Sequence, residues 1–107
     1  SRRLTDDETS ESGEPSLNET EADRNRLLLG REWTKNAIGE HASVASFSAF
    51  SIALMTNGAP PDLVEDSLRA ALDEVRHAKV SFDIASRLLG REVRPGPLPE
   101  SAHVFGR

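Results

Sequence analysis

Cysteine is absent from the 107-residue chain, and so is tyrosine. The first absence excludes a disulfide scaffold, a thiolate metal site and a cysteine nucleophile, and it fits a reducing compartment. The second excludes an internal tyrosyl electron donor. Other aromatics are few: one Trp and four Phe, within an apolar fraction of 36%, supply a modest core that would be marginal in a monomer. Neither an apolar run of membrane-spanning length nor a signal-peptide pattern is present, so the cytoplasm is the expected location and no membrane partner is expected. Positive charge is also in short supply, with 13 Lys and Arg against 18 Asp and Glu. Basic residues are not clustered with aromatics either, which argues against a nucleic-acid binder.

The acidity is uneven. Residues 1–30 hold eight acidic and four basic side chains, and residues 31–107 hold ten and nine. Residues 1–22 carry too little apolar surface to offset the entropy of ordering, and read as a disordered acidic tail. The Asn18-Glu19-Thr20 sequon within it reads as coincidence without a secretory signal. The chain opens on Ser1 rather than Met, as a processed chain or a piece of a longer protein would.

A helical domain is expected over residues 23–90. Asp23–Leu29 suits a turn or two of helix before Gly30. From Arg31 to Thr56, apolar residues Trp33, Ala37, Val44, Phe47 and Leu54 recur at helical spacing, with Ile38, Ala45, Ala49 and Ile52 widening the stripe. Glu40 lies inside that stripe, where water is scarce. Gly39 beside it marks either close packing or a weak spot, since glycine costs about 1 kcal/mol relative to alanine in a helix. Asn57-Gly58-Ala59-Pro60-Pro61 ends the helix and starts another, which runs from Pro61 to Leu89 and stops at Gly90. A connection this short predicts an antiparallel hairpin. Residues 91–107, with Pro95, Pro97 and Pro99, read as an extended tail whose Val104 and Phe105 are placed to dock on a surface.

Asp73-Glu74-Val75-Arg76-His77 falls in the middle of the second helix. Glu74 and His77, three residues apart, share a face with Leu63, Ser67, Ala70, Ala71, Ala78, Ser81, Ile84, Ala85 and Leu88, so both side chains are expected to turn toward a bundle interior. Glu40 sits 34 residues before Glu74, a spacing that brings the two carboxylates to similar height in an antiparallel hairpin. Two carboxylates and an imidazole suit a hard divalent first-row metal. His41 lies about 100° around the helix from Glu40 and is expected at the boundary of the site rather than in it. His103, in the tail, has no supporting pattern as a ligand.

Glu40 with Glu74-x-x-His77 resembles one half of the di-iron carboxylate site of the ferritin-like superfamily, which includes ferritin, bacterioferritin, rubrerythrin and encapsulated ferritin-like proteins. The fuller string Asp73-Glu74-Val75-Arg76-His77 is similar to the D-E-x-R-H motif of di-iron oxygenases and ribonucleotide reductase small subunits. The resemblance covers residues 31–90. It implies an all-α fold in which the hairpin completes a four-helix bundle by dimerisation or with a missing second half. It further implies iron, two ions per completed site, with manganese as the other ion such ligands suit. Glu40 and His77 would be terminal ligands and Glu74 the bridging one, with Asp73 and Arg76 supporting them. The implied activity is that of an oxidoreductase, either a ferroxidase or a related di-iron oxidase that activates dioxygen or peroxide. Phe47 departs from the pattern, standing where ferritins and bacterioferritins often carry Tyr. The alternative is a metal-free helical module that dimerises or docks on a partner, with Glu40 paired to Arg76 or Lys79.

Overall fold

The computed structural model describes residues 17–99, which form two helices and a short extended segment. Helix α1 spans Leu17–Thr56 and helix α2 spans Pro61–Leu89, packed against each other as an antiparallel pair. There is no strand among the described residues, and no helix among them is long and apolar enough to cross a membrane. The turn between the helices is where the sequence puts it. Gly58 takes a left-handed φ of 75°, and Pro61 opens α2, where a missing N–H costs nothing. Asp62 in the first turn of α2 and Arg87 in the last complement the helix dipole. Gly90, at φ 69°, closes the helix by donating its N–H to the Ser86 carbonyl at 2.9 Å.

The start of α1 differs from expectation. Composition assigns residues 17–22 to a disordered tail, yet they are helical and continuous with the rest of α1. Two local causes favour this. Glu21 and Ala22 are good helix formers, and Glu21 stands near the positive end of the helix dipole. A third cause is tertiary: Arg26 donates to the Leu88 carbonyl at 2.6 Å, satisfying one of the acceptors that the end of α2 leaves open. Gly30 does not interrupt the helix either. It is buried, and a Cβ added there would stand 2.5 Å from Cδ2 of Leu89. Residues 1–16 lie outside the described residues.

The seam between the helices is built from small side chains. Ala37 and Ser51 of α1 and Ser67, Ala71, Ala78, Ser81 and Ala85 of α2 are buried. The Ser51 and Ser67 hydroxyls share a hydrogen bond across it. Small residues let the helix axes approach closely. The same choice leaves the large apolar side chains at the flanks, where Phe50, Ile52, Met55, Leu72 and Val80 are all half exposed or more. After α2 the chain runs extended, and Val93 is buried with its N–H donated to Ser86 Oγ at 2.8 Å. Val93 is therefore the docked residue of the described tail, while Val104 and Phe105 lie outside the described residues.

Candidate metal centre

Contacting residues across the seam have numbers that add to nearly one value: Gly30 with Leu89 (119), Asn36 with Ser81 (117) and Ser51 with Ser67 (118). By that register Glu40 stands level with Ala78, about one turn from Glu74 on one side and from Ser81 on the other. The hairpin thus does what the 34-residue separation required of it.

Glu40, Glu74 and His77 each offer one ligand atom, and those atoms all lie within 4.8 Å of one another. His77 Nδ1 is 3.4 Å from Glu74 Oε2. Two donors each about 2.1 Å from one ion stand about 3 Å apart at a right angle and about 3.4 Å apart at a tetrahedral angle. The Glu74–His77 separation, which is also that of an i,i+3 ion pair, is compatible with a single ion, and the oxygen, oxygen and nitrogen donors match a hard or borderline divalent metal. Glu74 is 23% exposed at its side chain and His77 57%, so the cluster opens outward from the seam. Glu40, partly buried like Glu74, is anchored to the seam: its Oε1 accepts a hydrogen bond of 2.6 Å from the buried Ser81 hydroxyl. Asn36 Nδ2 in turn donates to Ser81 Oγ at 3.0 Å.

The other sequence candidates fall elsewhere. The His41 ring packs edge-on against Phe82, with centroids 6.2 Å apart, and lines a groove of about 640 Å³ with Val44, Val75 and Val93. It takes no part in the cluster. Asp73 is engaged by Arg76 at 2.6 Å on the exposed face of α2, and neither is held against His77. Arg76 is thereby also committed away from Glu40, so the ion pair that a metal-free hairpin would use is absent among the described residues. Lys79 lines the His41 groove. His103 lies outside the described residues. A second apolar groove, about 620 Å³, lies near the turn beside Met55, Val64, Leu68 and Leu72. At its edge the Glu65 carboxylate, hydrogen-bonded to Arg69, raises the guanidinium above its ordinary pKa.

Asn36 is not singled out by the sequence pattern, and Ser81 stands in it only as a small residue on the shared face. The signal for Ser81 was polarity at a buried seam position one turn after His77, and for Asn36, which is exposed at the edge of the seam, a polar side chain one turn before Glu40. No protein-family model, curated protein or solved structure matches the chain.

Proposed function

We propose that the hairpin is one half of a carboxylate–histidine di-metal centre, with Glu40, Glu74 and His77 as its ligands and iron as the expected ion. The observation that carries this reading is the convergence of those three donors within 4.8 Å on the outward side of a seam otherwise lined by small residues. Bound iron in such a set supplies one-electron redox chemistry toward dioxygen or peroxide, which two adjacent ions share. Ferrous iron is then either the substrate, as in a ferroxidase, or the resident cofactor of an oxidase.

Three protein donors per hairpin fill half of two coordination spheres. A second hairpin would bring the complement to four carboxylates and two imidazoles. The apolar pattern supports such a completion. On α1 the steps of three and four from Leu29 through Trp33, Asn36, Glu40, Ser43, Phe47 and Phe50 to Leu54 trace one stripe that contains the ligand. On α2 the corresponding stripe runs from Leu63 through Ala70, Glu74, His77 and Ile84 to Leu88. Leu29, Phe50 and Leu63 on these stripes are exposed in the single hairpin. A second copy is the simplest occupant, forming an antiparallel four-helix bundle. A metal-free docking module would use the same apolar stripes, but it leaves the convergence of Glu40, Glu74 and His77 without a purpose.

The test is anaerobic titration with ferrous iron, read by metal content and by thermal melting. Wild type is expected to bind about one ion per chain and to melt at a higher temperature as iron is added, because an ion bound only to the folded form stabilises it by mass action. Glu74→Ala, which removes a donor common to both ions, is expected to show neither response. Equal behaviour of the two proteins would remove the metal reading and leave the docking module.

A further inference from the structure

We infer that Ser81 and Asn36 form a hydrogen-bond relay that positions the Glu40 carboxylate for metal, an assignment that rests on the metal reading above. A hydroxyl on a helix ordinarily has a nearby backbone acceptor for its proton. In the helix interior the convenient acceptor is a backbone carbonyl one turn back. Thr34, Ser43, Ser48, Ser51 and Thr56 all use it, donating to Gly30, Gly39, Val44, Phe47 and Ile52 at 2.7–3.1 Å. Ser81 instead sends its proton across the seam to Glu40 Oε1 at 2.6 Å, the short distance of a hydroxyl bonded to a carboxylate. It is 2% exposed, so water does not compete for that bond.

Asn36 sets the direction. Its amide N–H reaches Ser81 Oγ at 3.0 Å and occupies a lone pair, which leaves the hydroxyl proton to point away, toward Glu40. Asn36 and Glu40 are one turn apart on α1 while Ser81 belongs to α2, so the relay crosses the seam twice and ties the ligand to both helices. One oxygen of Glu40 is thereby fixed on the protein side, and the carboxylate's rotation is restricted before any ion arrives. Outer contacts of this kind orient metal-ligating carboxylates, and losing one typically costs about 10- to 100-fold in metal affinity.

Ser81→Ala is a mild change sterically, because alanine already fills the seam at Ala71, Ala78 and Ala85. The experiment uses the full chain and cobalt(II) as the probe, read by its visible ligand-field spectrum as well as by affinity. Ser81→Ala is expected to lower cobalt affinity about 10-fold or more and to alter the spectrum, while the circular dichroism of the apo protein stays helical. Asn36→Ala is expected to shift affinity in the same direction by less. The double variant is expected to match Ser81→Ala alone, because Asn36 acts through Ser81. Wild-type affinity and spectrum in Ser81→Ala would overturn the relay and leave the metal site standing. Additive losses in the double variant would overturn the role given to Asn36. If wild type itself takes up no cobalt, the relay fails together with the metal reading.

Discussion

Gly30 and Gly39 stand nine residues apart in α1, and the surroundings of a methyl group at each differ. At Gly39 an added Cβ meets nothing within 4 Å, so close packing there against α2 is set aside, and within the hairpin the residue is a weak spot in the helix. Gly39→Ala should therefore raise stability by about 0.5–1 kcal/mol through helix propensity alone. At Gly30 the same Cβ would stand 2.5 Å from Leu89 Cδ2 and 2.7 Å from its Cγ, so Leu89 must move or the helices must part. Overpacking of this sort costs about 1–3 kcal/mol, which cancels or exceeds the propensity gain. Urea melts of the two variants should differ by at least about 1 kcal/mol, with Gly39→Ala the more stable. The three proposed ligands were legible in the sequence because each interrupts an apolar helical period with a polar group. The relay behind Glu40 was not, since it depends on which residue of α2 stands beside position 40, and periodicity within one helix carries no information about register between two.

At the scale of the element, the hairpin was legible because its punctuation is local: Asn57 and Gly58 suit a left-handed turn, Pro61 suits a first helical turn, and Gly90 suits a stop. The N-terminal extension of α1 was not, because the composition of residues 1–22 as a whole masks the helix formers at its end, and part of the support for α1 comes from 62 residues away, where Arg26 donates to the Leu88 carbonyl. Composition measured along residues 1–22 holds no trace of that contact. A pair of truncations separates local propensity from docking. Removal of residues 1–22 leaves Arg26 and Gly30 in place, and helicity, melting temperature and metal content should stay close to wild type. Removal of residues 1–26 also deletes the cap, and a lost hydrogen bond of about 1 kcal/mol should lower the melting temperature by about 4–8 °C in a domain of this size. A large fall in the first truncation would mean that residues before Asp23 dock as well. The difference bears on the proposed function because α1 and α2 hold the proposed ligands between them, and whatever fixes their register fixes the distance from Glu40 to Glu74.

At the scale of the whole molecule, Phe50 reports from a distance on what covers the stripes that carry the proposed ligands. It is 55% exposed in the single hairpin and lies ten residues beyond Glu40, about 15 Å along the helix, so it cannot ligate an ion there. Leu72, 54% exposed, points to the opposite side of α2 from His77 and borders the groove near the turn. In a hairpin that acts alone, changing either to Ser is a surface substitution worth about 0.5 kcal/mol or less. If a second copy packs on the stripe that carries Glu40, Phe50 is buried twice, once in each chain, and its loss costs about 3–5 kcal/mol per site. Phe50→Ser should then dissociate the assembly in sedimentation or light scattering, whereas Leu72→Ser should not. Because metal and partner are proposed to meet at the same stripe, their free energies are linked: whatever factor association adds to metal affinity, metal adds to association, so a chain that no longer associates should bind metal more weakly. Phe50→Ser is therefore expected to shift the ferrous-iron titration to higher concentration, and raising the protein concentration should shift it back. Leu72→Ser should titrate as wild type does at every concentration. If Phe50→Ser also behaves as wild type, the stripe is not closed by a second copy, and the other half of the site belongs to a different chain or segment.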